Sequence, residues 1–227
     1  MSASLSIVVR LLWYNECMSF AYRISSYNRN RKWKVFQRIF SVTKKTKILD
    51  IGFSDKEYSE TDNFLEKHYP YRAQITALGI DEPKEFTKRY QDVRAVQYDG
   101  KKFPFQNKVF DIAWSNAVLE HVGSTADQVL FLQEIARVAS AAFITTPNRH
   151  FPIEVHTRIP LLHWLPKNFF DRILHILGKS WATGSYMNLL SEREIRGLLK
   201  KAGIANYKIL RNRLLFFTLD FVIVIRN

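Results

Sequence analysis

Lys47-Ile48-Leu49-Asp50-Ile51-Gly52 decides the fold. An apolar run that ends on an acid and a glycine reads as a buried strand delivering a carboxylate to its carboxyl end. Asp81 and Asp99 follow at the ends of two further apolar runs, Ile75–Asp81 and Val93–Tyr98. Acids at successive strand ends are the pattern of a parallel sheet whose carboxyl edge meets a nucleoside. After Gly52 the chain continues Phe53-Ser54-Asp55, where a glycine-rich loop is expected. A phenylalanine there is expected to block the loop's close approach to a ligand.

Strand-like and helix-like segments alternate on the carboxyl-terminal side of this run, the order of an α/β fold with helices on both faces of the sheet. Two more strands are expected at Phe110–Val118 and Ala142–Thr146, and a final pair at Tyr207–Leu214 and Leu219–Ile225. Ser124 with Asp127, and Ser191 with Glu194, each have the spacing of a capping box that starts a helix. Gly203 suits the left-handed position that closes the second of these helices. Residues 149–190 interrupt the rhythm with Phe151, Pro152, His156, Pro160, His163, Trp164 and Pro166. An insertion leaving a strand's carboxyl end is placed to cap the site.

The chain has 227 residues, 47% of them hydrophobic, enough for one well-packed domain with an extension. Residues 46–227 are read as that domain, with 149–190 as its cap, and residues 1–45 as a basic, aromatic, helical extension. The net charge is +13, and the first 46 residues hold nine basic side chains against a single acid, Glu16. Trp13, Tyr14, Phe20, Tyr22, Tyr27, Trp33, Phe36 and Phe40 stand among them. Such an arm suits RNA, an anionic membrane surface or an acidic substrate. It equally suits a helical lead-in docked on the core by Ile7, Leu11, Tyr14 and Met18. The lone cysteine, Cys17, excludes an intrachain disulfide and a thiolate zinc site, and a cytoplasmic protein is expected, with peripheral membrane contact through the arm as an option. Ile7 to Trp13 is far shorter than the roughly 18 apolar residues of a membrane span, and it contains Arg10.

S-adenosylmethionine presents what three strand-end acids can satisfy: ribose hydroxyls, an adenine amine and an amino-acid ammonium. Asp81 suits the ribose, Asp99 the exocyclic amine and Asp50 the ammonium, with Gly52 letting the backbone come close. The start of the next helix, near Ser59 to Asp62, suits the ligand's carboxylate. No G-x-G-x-x-G opens a helix, which argues against a dinucleotide.

Three stretches carry a family resemblance: KILDIG at 47–52, YDGKKFPFQNKVFDIAWSNAVLEHV at 98–122 and FITTPN at 143–148. On these the chain resembles the class I S-adenosylmethionine-dependent methyltransferases, in particular the methyltransferase type 11 group, over about residues 46–148. The run TPNRHFPIEVHTRIPLLHWLP at 146–166 is similar to that of a bacterial subgroup. The resemblance implies a Rossmann-like, seven-stranded, mostly parallel sheet with a reversed terminal hairpin. It also implies that Asp50 and Gly52 line the methionine end, that Asp81 binds ribose, that Asp99 and Gly100 meet adenine, and that Asn116 lies beside the cofactor.

A methyl acceptor also needs alignment and, for oxygen or nitrogen, a base. His121, Glu154 and His156 are the candidates for catalysis, with Glu120 and His163 near them. His150, His156, His163 and His175 lie in the insertion, but Glu154-x-His156 lacks helical i,i+4 ligand spacing, and no metal is expected. The expected acceptor is a small molecule, a sugar or a lipid-linked group beneath the cap. An RNA methyltransferase is the alternative that the basic arm suggests. Against it, Ser115-Asn116-Ala117-Val118 stands where amino-group nucleobase methyltransferases carry Asn/Asp-Pro-Pro-Tyr, and no Pro-Cys nucleophile is present. A binding protein that kept the fold without turnover is the third reading, suggested by the loop after Gly52.

Overall fold

The structure is a computed structural model that describes residues 25–153, 161–165, 167–178, 180 and 188–226. Seven strands form one sheet in the order β3-β2-β1-β4-β5-β7-β6. They are β1 Ile48–Ile51, β2 Ile75–Gly79, β3 Arg94–Gln97, β4 Phe110–Asn116, β5 Ala139–Pro147, β6 Tyr207–Leu214 and β7 Phe217–Arg226. β1 to β5 run parallel, while β7 enters antiparallel beside β5 and pairs with β6 as a hairpin. The expected strand order along the chain is thus the observed one. β5 starts three residues earlier than its apolar core suggested, because Ala139 and Ala141 pair with Phe110 and Ile112.

Side chains alternate between two cores. Ile48, Ile112, Trp114, Ala141, Phe143, Val222 and Val224 face one layer, and Leu49, Ile51, Ala113, Ala142, Ile144, Phe221 and Ile223 the other. The second layer is closed by α4 (Thr125–Val138) and α6 (Glu192–Lys201) through Phe131, Leu132, Ile135, Ile195, Leu198 and Leu199. Both helices begin in capping boxes, on Ser124 with Asp127 and on Ser191 with Glu194, and Gly203 at φ +75° follows α6.

The first layer is closed by α1 (residues 25–39), α2 (Phe64–His68) and α3 (Lys84–Arg89). Trp33, Phe36 and Phe40 of the basic extension lie in this core. Phe36 meets the edges of Trp114 and Phe143 at 5.1 and 5.5 Å, and these two rings stack at 4.9 Å. Each such pair adds about 0.5–1.5 kcal/mol to plain burial. The described part of the extension is therefore part of the domain's core. Ile7, Leu11, Tyr14 and Met18 lie outside the described residues.

The insertion leaves and rejoins the sheet at one place. Asn148 bridges Leu190, and the Arg149 N–H donates to the Leu190 carbonyl. Between them, α5 (Lys167–Ile176) packs Phe170 and Leu174 against Leu162 in a small core of its own. Among the described residues no helix is long and apolar enough to cross a membrane.

Candidate active site

On the α1 side, the strands turn from apolar to polar as they reach the carboxyl edge of the parallel sheet. Asp50 follows Ile48, Asn116 follows Trp114 and Thr145 follows Phe143, while Asp220 precedes Val222 in the reversed β7. α1 changes character along the same line, since Phe40, Phe36 and Trp33 give way to Lys32, Arg29 and Asn28 at helical spacing. Its polar end thus stands over the polar edge.

Lys32 and Asp220 form a buried ion pair at 3.1 Å. Asp220 also accepts from the side-chain amides of Asn28 at 2.7 Å and Asn212 at 2.8 Å. Burial pushes the Lys32 ammonium down, and Asp220 opposes that shift. The ammonium also reaches Thr145 Oγ1 at 3.4 Å, and that hydroxyl lies 2.7 Å from Asn116 Oδ1. Lys32 can only donate, so the Thr145 hydroxyl accepts from it and gives its own proton to Asn116. This orients the Asn116 amide, whose buried NH2 finds no protein partner among the described residues. Asn116 therefore presents donors for a ligand oxygen.

Asp50 is buried and faces Glu66 of α2, which is wholly buried. Two carboxyls in such a space cannot both ionise. Burial raises Asp50 to about 6, against the lowering effects of Glu66 and Arg29. Glu66 is pushed well above the usual carboxylate range by burial and then by the Asp50 charge. Glu66 therefore holds its proton to higher pH than Asp50 does, which leaves Asp50 the first of the two to ionise.

Gly52 has two reasons to be glycine. Its φ is +99°, and a Cβ there would stand 2.4 Å from a Val118 methyl. Phe53 does not enter the cleft, contrary to the expectation from sequence. Its ring is buried, 4.7 Å from Phe86, and it covers Gly79, where an added Cβ would meet it at 2.6 Å. The loop's approach is thus not obstructed by this ring. Asp55 Oδ1 accepts the N–H groups of Glu85 and Phe86, tying the loop to the start of α3.

The expected helix start for the ligand's carboxylate is also absent. Turns occupy residues 59–63, and α2 begins at Phe64 and lasts five residues. Asp62 itself accepts the N–H groups of Tyr58 and Ser59, while Asn63 accepts that of Ser54. Those donors are already satisfied within the chain.

Asp81 and Asp99 each lie two residues beyond β2 and β3 and are exposed, free to meet a ligand's hydroxyls or amine. Asp99 Oδ1 accepts the Lys101 N–H at 3.0 Å. Gly100 turns at φ +79° beside Ile80, which is 65% exposed and offers an apolar shelf next to both acids. The following loop is held by Arg137, which donates to the Phe103 and Phe105 carbonyls and pairs with Glu134.

His121 sits half-buried in a single 3-10 turn, Leu119–His121, just after β4. Glu120 of that turn accepts the Thr146 hydroxyl at 3.0 Å. Glu154 and His156 lie outside the described residues. Among the described residues no cluster of His, Cys, Asp and Glu could hold a metal ion.

Residues 49–142 match the family model described as a methyltransferase domain. Over this stretch, from β1 into β5, the chain is similar to that family. The strand order with its reversed β7 is that of the class I methyltransferase fold. Among curated proteins none matches. Solved structures with the same fold include a SAM-dependent methyltransferase from Aquifex aeolicus, 15% identical, covering 86% of this chain and 88% of that one at a TM-score of 0.52. The N-terminal domain of EvdMO1 with SAH bound is 17% identical, with coverage of 88% and 80% and a TM-score of 0.53. The YcgJ protein from Bacillus subtilis is 16% identical, with coverage of 80% and 71% and a TM-score of 0.53.

Spacing of acids led to Asp50, Asp81 and Asp99, and the family resemblance to Asn116. Glu66, Arg29, Lys32, Thr145 and Asp220 were not found that way. The one signal available was the spacing of Arg29 and Lys32 on the same helical face as Trp33 and Phe36.

Proposed function

We propose that the protein transfers the methyl group of S-adenosylmethionine to a small-molecule, sugar or lipid-linked acceptor held between the sheet edge and the insertion. The observation that carries this reading is the polar carboxyl edge itself, where Asp50, Asn116, Asp81 and Asp99 stand at four strand ends in donor and acceptor types that suit the molecule. Asp50 takes the ammonium, Asp81 the ribose and Asp99 with Gly100 the adenine, while Ile80 gives the base an apolar surface. When bound, S-adenosylmethionine supplies a methyl already activated by its sulfonium. The chain's own work is then to exclude water, align the acceptor and take its proton.

The insertion supports the placement of the acceptor. Asn188, where the described chain resumes, donates its N–H to the Glu120 carbonyl at 2.7 Å and its amide to the Gly123 carbonyl at 2.8 Å. The cap is thereby fastened to the turn that carries His121. Glu154 and His156 of the cap are the proposed groups for proton removal, with His121 as the alternative from the sheet side. The inward turn of Phe53 removes the motive for a fold without turnover. The RNA reading loses weight because Trp33, Phe36, Phe40 and Lys32 of the basic arm are buried.

Calorimetry of the full chain with S-adenosylmethionine should give saturable heat; none at high donor concentration overturns the reading. In turnover with the accepted substrate, His156→Ala is expected to leave donor binding unchanged and to lower the rate by about 10²- to 10⁴-fold. Unchanged turnover would remove His156 and leave His121→Ala as the variant to measure.

A further inference from the structure

The hairpin that ends the sheet has an apolar tip where such turns are ordinarily polar. Leu214 pairs with Phe217, so Leu215 and Phe216 make the whole turn between β6 and β7. Two-residue hairpin turns favour glycine, asparagine and aspartate, because the left-handed backbone they need crowds a larger side chain. Leu215 adopts that backbone nonetheless, at φ +54°. It gains no burial in return, since Leu215 is 83% exposed, Phe216 93% and Phe217 50%. The fold itself has no use for either the strain or the exposure.

The surroundings of the tip are basic. Arg213 is exposed and forms no ion pair among the described residues. Arg31 of α1 donates to the Arg213 carbonyl and lies over the ring of exposed Tyr27, 5.7 Å from its centroid. The acids of the adjoining elements are engaged, Asp220 by Lys32, Asn28 and Asn212, and Glu192 by Arg196 and Arg211. Apolar side chains beside unpaired arginines suit an anionic bilayer, where the former enter the acyl boundary and the latter stay with the phosphates. A second copy of this chain would instead bring like charges together at the tip.

The tip also stands at the functional edge of the sheet. β7 runs antiparallel to β5, and Asp220 lies opposite Pro147, the last residue of β5. Phe217 is three residues further on, so the tip projects roughly 10 Å past that strand's carboxyl end. Asn148, where the insertion departs, donates its N–H to the Leu219 carbonyl at 3.0 Å and its amide to the Thr218 carbonyl at 2.8 Å. The base of the tip and the root of the insertion are thus joined.

We propose that the β6–β7 tip docks the protein on an anionic membrane surface, with Leu215 and Phe216 in the interface and Arg213 and Arg31 against lipid phosphates. The docking stands on this surface and not on the methyl-transfer reading. Where both hold, the bilayer lies at the sheet edge that carries Asn116 and Asp50, and the lipid-linked acceptor is the one that reaches it.

Co-sedimentation of the full chain with vesicles tests this, using phosphatidylcholine alone and phosphatidylcholine with about one-third phosphatidylglycerol. The double variant Leu215→Asn, Phe216→Gly gives the turn its preferred residues while removing the apolar tip, so it should melt at or above the temperature of the unaltered protein. It should bind the anionic vesicles at least about tenfold more weakly. Arg213→Gln should weaken binding to the anionic vesicles about two- to tenfold and leave binding to the neutral ones unchanged. Undiminished binding by the double variant overturns the proposal, because the contact then belongs to another part of the chain. Absence of binding by the unaltered protein overturns it as well, and so does lipid-free dimerisation that the double variant abolishes. Calorimetry with S-adenosylmethionine is done without lipid, so failure of the methyl-transfer reading and failure of this docking are separate results.

Discussion

Glu66 shows what one buried side chain does to a site. Its position beside Asp50 stores a proton at the sheet edge that the unfolded chain would release near pH 4. The folded form therefore binds more protons than the unfolded form as the pH rises from about 4 through about 6, where Asp50 titrates, and beyond, since Glu66 lies higher. Stability is present below that window and is lost as the pH climbs through it. Glu66→Gln keeps a donor to Asp50 without the proton linkage, so it should match the unaltered protein at pH 4 and exceed it by about 1–3 kcal/mol at pH 8. Urea unfolding at both values measures this; a pH-independent difference would mean that the two acids do not share a proton. Nothing in the sequence around Phe64-Leu65-Glu66 announces this pair. A buried acid inside a five-residue helix becomes readable only once β1 and α2 are in contact.

At the scale of elements, the strands were legible because apolar and β-branched runs separated by turn residues have few alternatives, and Ser-x-x-Asp and Ser-x-x-Glu placed α4 and α6 correctly. The loop after β1 was less so. Phe53 suggested an obstruction, whereas the direction of one ring relative to Gly79 depends on a strand pairing that no local pattern encodes. The seating of α1 is the other element-scale feature. Lys32→Met leaves Asp220 its two asparagine donors and should cost about 1–3 kcal/mol, whereas Asp220→Leu strips Lys32, Asn28 and Asn212 of their acceptor at once and should cost about 3–5 kcal/mol. Denaturant midpoints give the order, and the reverse order would place the stabilisation in Lys32 itself.

For the whole molecule, the described part of the basic arm and the sheet are not separable. A variant lacking residues 1–40 would expose Trp114 and Phe143 on the sheet and remove Trp33 and Phe36 from their contacts. It should lose its cooperative thermal transition or aggregate. Cooperative melting of the shorter form at the original temperature would show α1 to be dispensable.

The insertion has a different relation to the rest. It departs after Asn148 and returns at Leu190, and these two residues are bridged neighbours. A segment whose two ends already touch can be lengthened, shortened or exchanged without shifting the register of β5 or the start of α6. The sheet with its helices and the inserted segment are thus free to diverge at different rates. A lineage could acquire a new substrate by trading about forty residues at a single junction, keeping the older machinery whole.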